Sequence, residues 1–273
     1  MKKLDGKPRS RMMLYLALLL IALSLCICTR QRSLPAPPAP APSGGDTMDV
    51  AIEYSPMSLY RYADTLGGFG YDMMRCVADS LGRKIKFHPV ASYTSALAGI
   101  DSGLYDVAVA DVPSTTEIQT RYAVTEPVFL SRLVLVQRRD SAGGLKIGSQ
   151  LELGGRTVYI PAGSPARQRL VNLASEIGDT IHVEEVPDLG NEQLFLLIEA
   201  GRIDFAVMNE ELAASMAGRY RDVDVSTKVS FTQFQSWLLH RDNQALKAEL
   251  DSAITAVKCT PDYPAIMKRY NLK

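Results

Sequence analysis

The chain has 273 residues, of which 47% are hydrophobic, and its 30 basic and 30 acidic side chains balance. This length is enough for one large or two small domains with substantial cores. A neutral chain is not expected to bind nucleic acid, because phosphate recognition requires an excess of basic groups.

The first apolar feature is MMLYLALLLIALSLCIC, an uncharged run at residues 12–28 that follows a basic segment at residues 1–11. Its length is near the lower limit for crossing a bilayer, and the basic residues before it favour a cytoplasmic N-terminus. We expect either a transmembrane anchor or a lipoprotein signal acylated at Cys26 or Cys28. No small-residue cleavage site follows, which disfavours a cleaved signal peptide. Either anchor would place the rest of the chain in the cell envelope, facing the periplasm.

Residues 29–48 are rich in proline and alanine and contain a Ser-Gly-Gly stretch at residues 43–45. Such a segment is typical of an extended, semi-rigid linker. It would tether the following domain to the membrane, and a passive spacer is the simpler interpretation of its role.

Cys76 and Cys259 are the cysteines of the predicted exported part. They are able to form a disulfide in an oxidising compartment, and two separate buried thiols are the alternative. The three histidines, His88, His182 and His240, are scattered without metal-ligand spacing. We therefore expect no metal site and no other cofactor, and we expect a monomer.

Beyond Met48, short β-prone runs alternate with helical patterns, which predicts an α/β fold with parallel sheets. The β-prone runs are DVAIEY, KIKFHPV, YDVAVA, LVLVQR, RTVYIP, IHVEEV, IDFAVM and FQSWLLHR. Between the first two, Met73, Met74 and Val77 share one face of a predicted helix. Asp72 is placed to cap this helix, and Gly82 is placed to end it.

Two further helices are predicted, and the first of them has clear end signals. Ser164 opens one of them, with Pro165 in its first turn, and Gly178 ends it. The last long helix is predicted to extend from Leu246 to Lys258.

A helix–Gly–strand unit occurs twice, as SGLYDVAVAD at residues 102–111 and as AGRIDFAVMN at residues 200–209, 98 residues later. An apolar helical stretch precedes each copy. Ligands of open α/β sheets bind beyond the carboxyl ends of the strands, where Asp111 and Asn209 would lie. If the two copies belong to facing lobes, both residues would lie in one cleft.

In order and spacing, these runs resemble the bacterial extracellular solute-binding proteins of family 3, which have the type 2 periplasmic-binding fold. The resemblance is carried by GYDMMRCVADSLGRKIKFHPV, ALAGIDSGLYDVAVADVPSTTE, TEPVF, LGGRTVYIPAGSPA and EAGRIDFAVMN. It implies two Rossmann-like lobes joined by two crossover segments. The first lobe would comprise residues 49–133 and 232–273, and the second residues 134–231.

The resemblance also implies a function: closure of the two lobes over a small ligand, for transport or for cell-wall sensing. The partner would be an inner-membrane transporter or a cell-wall enzyme. The stretch at residues 219–254 resembles the ligand-binding module of membrane-bound lytic transglycosylase F. In that enzyme a catalytic domain follows the module, whereas this sequence ends at Lys273. We therefore expect no enzymatic activity.

Two alternatives remain open. Some members of this fold resemble cyclohexadienyl dehydratases, and Asp111 and Glu210 would then supply an acid and a base across the cleft. The other alternative is a degenerate regulatory module that contacts a protein partner.

Family members that bind free amino acids pair an arginine with the α-carboxylate and an aspartate with the α-ammonium group. Ile118 and Asn209 stand at those two positions here. The resemblance therefore implies that the ligand is not a free α-amino acid. Asp111 favours an amine, a peptide or a peptidoglycan fragment instead.

Eight residues are candidates for ligand contact, and each has a structural alternative such as packing, capping or simple exposure. Arg121 is considered as a replacement for the missing cation, and the helix start at Ser164 as an anion-binding site. The candidates are Tyr54, Tyr93, Asp111, Thr115, Arg121, Ser164, Asn209 and Glu210.

Overall fold

The computed structural model describes residues 46–187 and 189–272, apart from the side chains of Asp111 and Val112. The predicted anchor with Cys26 and Cys28 and almost all of the proline-rich linker lie outside these residues. Within the described part of the chain, no helix is long and apolar enough to cross a bilayer.

The described strands form two large sheets and one hairpin. Strands of the first sheet are β1 (Thr47–Glu53), β4 (Lys84–Val90), β5 (Val107–Pro113), β6 (Tyr122–Val124), β7 (Phe129–Ser131) and β13 (Gln233–His240). Strands of the second sheet are β8 (Leu133–Arg138), β9 (Thr157–Pro161), β10 (His182–Val186), β11 (Phe205–Asn209) and β12 (Val223–Asp224). The hairpin consists of β2 (Tyr60–Tyr62) and β3 (Thr65–Gly67).

Helices cover both sheets. They are α1 (Phe69–Leu81), α2 (Tyr93–Asp101), α3 (Thr116–Arg121), α4 (Ala166–Ile177), α5 (Asn191–Glu199), α6 (Glu210–Ala217), α7 (Gln244–Lys258) and α8 (Asp262–Arg269). The sequence patterns predict α1, α2, α4, α5 and α7, but they do not predict the hairpin or α3, α6 and α8.

The expected parallel pairing holds for only part of each sheet, and both sheets are mixed. The first sheet has the order β4-β1-β5-β13-β6 and the second β10-β9-β11-β8-β12. The first three strands of each order are parallel, whereas β13 and β8 lie antiparallel to β5 and β11. The reason is that β8 and β13 enter their sheets directly from the other sheet rather than through a crossover helix.

The chain passes between the two sheets at two points. It leaves β7 at Ser131 and enters β8 at Leu133, so Arg132 alone joins those strands. It returns between β12 and β13, and α7 then packs on the first sheet's side of the molecule, against α1. The first sheet is thus built from the start and the end of the described chain.

Helix α1 illustrates how the sequence pattern forms the core. Met73, Met74 and Val77 are fully buried, and Gly82 ends the helix in the left-handed conformation with φ 66°. The predicted cap is wrong, because the helix begins at Phe69 and Asp72 lies in its first turn. The Asp72 carboxylate instead accepts a hydrogen bond from the Tyr270 hydroxyl.

Two other predicted features are settled by the structure. The N-cap position of α4 is Pro165, one residue later than predicted, although Ser164 Oγ still accepts a hydrogen bond from the Ala166 N–H at 3.3 Å. Cys76 and Cys259, the cysteines of the described residues, are both free thiols, so the disulfide alternative is not observed.

The two copies of the repeated unit have the same local structure. Helix α2 leads through Gly103, with φ 73°, into β5, and α5 leads through Gly201, with φ 66°, into β11. Both glycines adopt a left-handed conformation that other residues rarely tolerate. The repeat is therefore present in the structure as well as in the amino-acid sequence. One copy contributes a strand to each sheet.

Candidate functional site

A cavity of about 160 Å³ lies between the two lobes, at the carboxyl ends of their parallel strands. From the first lobe it is lined by Glu53 at the end of β1 and by the first turn of α2. From the second lobe it is lined by the loop before α4, the start of α5 and the end of β11. Its polar lining includes the side chains of Glu53, Tyr93, Ser164, Asn191 and Asn209.

Two polar atoms of the cavity lining are buried without a protein partner. The Tyr93 hydroxyl and the Asn191 Oδ1 make no hydrogen bond to any described residue. Leaving such a group unpaired costs about 1–3 kcal/mol, so native proteins usually pair it with water or with a ligand. Burial also raises the pKa of the Tyr93 hydroxyl, which keeps it neutral and able to donate.

Glu53 is the acidic group of the cavity. It is the last residue of β1, and its Oε1 lies 3.7 Å from the point that a Cβ on Gly190 would occupy. Gly190 precedes α5, so the carboxyl group reaches across the cleft to the start of a second-lobe helix. Burial raises the pKa of Glu53 from 4.5 to about 7.

The described cavity lining contains no lysine, arginine or histidine. Its titratable side chains are Glu53 and Tyr93. A ligand carboxylate would thus find no positive side chain there, and would instead approach an acid that resists ionisation.

The two lobes are in contact around the cavity. A Cβ added to Gly163, in the loop before α4, would lie 2.5 Å from the Thr94 Cγ2 of α2. Gly163 has φ 71°, and its N–H donates to the Glu185 carboxylate at 2.9 Å. The second-lobe backbone therefore fits closely over the first turn of α2, as expected for a closed cleft.

The start of α6 is fixed to the first crossover. The Glu210 N–H donates to the Arg132 carbonyl oxygen at 2.8 Å, and the Glu210 carboxylate pairs with Arg132 Nε at 2.8 Å. The Ser131 hydroxyl donates to the Glu211 carboxylate. Burial is the main reason that the pKa of Glu211 is raised. These bonds join the connecting segment to the second lobe.

The predicted site residues fall into three groups. Tyr93, Ser164 and Asn209 line the cavity. Asp111 lies in β5, but its side chain is outside the described part of the structure. The other four do not line the cavity: Tyr54, Thr115, Arg121 and Glu210.

Each of these four has another environment. Tyr54 is 53% exposed, and Glu210 is engaged by Arg132. Thr115 caps α3 by accepting a hydrogen bond from the Ile118 N–H at 3.4 Å. Arg121 lies over the Tyr122 ring at 5.2 Å and near the Asp101 carboxylate at 3.6 Å, at the surface. Ligand contact by these residues stays a prediction without support from the geometry.

Sequence reasoning missed Glu53 and Asn191. A signal for Asn191 was present, because it lies 98 residues after Tyr93, which is the spacing of the repeated unit. Glu53 had a weaker signal, as the acid that ends the first apolar strand.

The family model for bacterial extracellular solute-binding proteins, family 3, matches residues 47–273, which is the whole two-lobed part of the chain. This chain is a member of that family. The resemblance to this family and the expected two-lobed α/β fold are therefore confirmed.

Curated relatives of this solute-binding protein include enzymes and a binding protein. A membrane-bound lytic murein transglycosylase F of Aeromonas hydrophila is 27% identical over 186 residues, covering 68% of this chain and 36% of the enzyme. The same enzyme of Desulfosudis oleivorans is 22% identical, with 48% of its length covered. The chain thus spans between a third and a half of these relatives. The amino-acid-binding protein AabA of Dichelobacter nodosus is 22% identical and is covered over 88% of its length.

Solved structures similar to this solute-binding protein share its fold. An ancestral arginine-binding protein bound to arginine superposes with a TM-score of 0.72 at 21% identity, over 83% of this chain and 98% of that one. The substrate-binding protein AbpA of Streptococcus pneumoniae, bound to L-arginine, gives 0.69 at 18% identity, over 82% and 94% of the two chains. A structure from work on glutathione import by GshT of Streptococcus mutans gives 0.70 at 16% identity, over 82% and 94%.

Proposed function

We propose that this solute-binding protein closes over a compact ligand other than a free α-amino acid. The observation that carries the proposal is the described cavity lining, which has buried hydrogen-bonding groups but no cation. Ile118, at the position of the carboxylate-binding arginine, lines a neighbouring groove beside Arg121 rather than the cavity. Asn209, at the position of the ammonium-binding aspartate, does line the cavity but carries no charge.

The size of the cavity narrows the choice of ligand. Sites for drug-sized ligands typically occupy about 300–1,000 Å³, and this cavity measures about 160 Å³. The volume favours a small molecule such as an amine over a peptide or a peptidoglycan fragment.

A role in ligand binding, without catalysis, is favoured over the dehydratase alternative. That alternative needs Glu210 as an acid or a base facing Asp111, and the Glu210 carboxylate is paired with Arg132 at the crossover. Convergent buried polar groups likewise favour a ligand site over a degenerate module. Delivery to an inner-membrane transporter is the output that we favour, because the titles of several similar solved structures mention ABC transport. Cell-wall sensing is the alternative, and the transglycosylase relatives are in line with it.

The test is isothermal titration calorimetry of the protein with each common α-amino acid, arginine and glutamine included. Losing a desolvated carboxylate pair typically costs about 2–5 kcal/mol, so we expect dissociation constants near millimolar or weaker. A Kd below about 10 µM for any of them would contradict the proposal.

We further propose that residues 12–28 tether the protein to the membrane of the cell envelope. Deleting residues 1–45 should move the protein from the membrane fraction to the soluble fraction as a monomer. Membrane association of the deleted form would contradict the tether, or would show that a partner holds the protein there.

A further inference from the structure

The Glu53 carboxyl group is the feature of the cavity that the proposed function leaves without a role. Glu53 is partly buried, and withdrawing a carboxylate from water is costly unless its charge is paired, because water no longer solvates it fully. Its strand neighbour in the β1–β4 ladder is Val90, which is apolar. Glu53 thus faces the ligand cavity with no cation among the described lining residues, and a positively charged ligand would supply its partner.

We propose that the cavity binds a small organic cation and that Glu53 is the residue that recognises its charge. This inference rests on the proposed function, since it assigns the chemical class of the ligand for the same site. Three hydrogen-bonding groups would serve the N–H donors of such a cation: the Glu53 carboxylate, the Asn191 Oδ1 and the Tyr93 hydroxyl. The last two are the buried atoms that lack a partner among the described residues.

The described groups around Glu53 carry no positive charge, so the ligand would have to supply one. The first turn of α2 contributes Tyr93, which is neutral, and the start of α5 contributes Asn191, which carries no charge. Asp111 belongs to the adjacent strand β5, and its side chain lies outside the described part of the structure. The start of α5 presents free N–H groups that favour an ionised carboxylate nearby. None of these described side chains is a cation that would neutralise Glu53 in advance.

Binding of a cation must then be linked to the proton on Glu53. Without ligand, the pKa of about 7 leaves much of this group protonated near neutral pH. A bound cation stabilises the ionised form, so binding displaces that proton into solvent. Between pH 5.5 and pH 7.5 the affinity should rise roughly twentyfold, because the ionised fraction of Glu53 rises by that factor.

The experiment uses four cationic probes that carry N–H donors (ethanolamine, putrescine, cadaverine and agmatine) with the full chain. The neutral 1,4-butanediol and the anionic succinate serve as four-carbon controls for putrescine. Calorimetry at pH 5.5 and 7.5 is made on the wild type, on Glu53→Gln and on Glu199→Gln. Glu199 is an exposed carboxylate at the far end of α5, so its variant controls for charge removal.

We expect at least one cation to bind the wild type and Glu199→Gln with the stated pH dependence, while the diol and succinate do not bind. In Glu53→Gln we expect at least tenfold weaker binding and no pH dependence, with a melting temperature that shows a folded protein. A purely structural role of Glu53 would leave the pH dependence unchanged.

The inference is overturned if none of the four cations binds, or if Glu53→Gln keeps both the affinity and its pH dependence. Tight binding of arginine together with agmatine would contradict the proposed function and leave this inference standing. Tight binding of a neutral solute, without binding of any of the four cations, would contradict this inference and leave the proposed function standing.

Discussion

Tyr93 and Asn191 are the first residues of α2 and α5, and they occupy the same position in the two copies of the repeated unit. Their side chains line one cavity, and each has a buried polar atom without a partner among the described residues. The repeat therefore brings two helix starts, one from each lobe, to the same ligand. Contacts of this kind favour the closed state, because only closure lets one ligand satisfy both atoms.

Tyr93→Phe should weaken ligand binding with little change in the stability of the unliganded protein. The Tyr93 hydroxyl has no hydrogen-bond partner among the described residues, so its removal breaks no bond within the protein. Tyr263→Phe is the matched control, because the Tyr263 hydroxyl donates to the Val128 carbonyl oxygen at 2.8 Å. That variant should lose about 1 kcal/mol in the free energy of unfolding. Urea denaturation measures both, and an equal loss of stability in the two variants would contradict the assignment.

Gly163→Ala should prevent full closure of the cleft. The added Cβ would lie 2.5 Å from Thr94 Cγ2, and overpacking of this kind costs about 1–3 kcal/mol in the closed state. Ligand affinity should fall about tenfold or more, and small-angle scattering with ligand should show a larger radius of gyration.

Gly178→Ala separates this clash from backbone strain. Gly178 has φ 70°, close to that of Gly163, but an added Cβ would meet no described atom within 4 Å. Both variants should lose about 1 kcal/mol in the free energy of unfolding through the left-handed backbone. Only Gly163→Ala should lose affinity, and an equal loss in Gly178→Ala would rule out the clash.

The unliganded wild type should lose stability relative to Glu53→Gln as pH rises from about 4.5 to about 7. The pKa of Glu53 is raised on folding, so the folded state holds the proton more tightly than the unfolded state. That contribution is fully present below the unfolded pKa of 4.5 and is lost as pH rises through the folded pKa. The shift corresponds to at most about 3 kcal/mol. Urea titrations from pH 5 to 8 measure the free energy of unfolding of both proteins. A difference between them that does not change with pH would contradict this prediction.

Leu250→Ala should strongly destabilise the first lobe. Leu250 in α7 is fully buried in the cluster that contains Met73 and Met74 of α1, although about 160 residues separate the two helices. We expect a loss of about 2–5 kcal/mol. Leu151→Ala is the control, because Leu151 is 65% exposed and its loss should stay within about 0.5 kcal/mol. Similar losses in both variants would show that α7 does not complete this core.

The sequence by itself determined those features that depend on neighbours along the chain. Apolar spacing predicted α1 and α7, and the left-handed glycines Gly82 and Gly178 marked helix ends. The repeated unit placed Asn209 at the end of a strand beside the cleft. Chain periodicity and turn chemistry are local properties, so they can be recognised without knowing the fold.

Only the tertiary structure decided which side chains meet across the cleft. In the structure Glu210 pairs with Arg132 at the crossover, and Tyr54 is exposed. Glu53 lies near the start of α5. The tertiary structure also made β8 and β13 antiparallel members of their sheets. These outcomes depend on how two lobes distant in sequence pack together, and the burial that shifts the pKa of Glu53 arises from that packing.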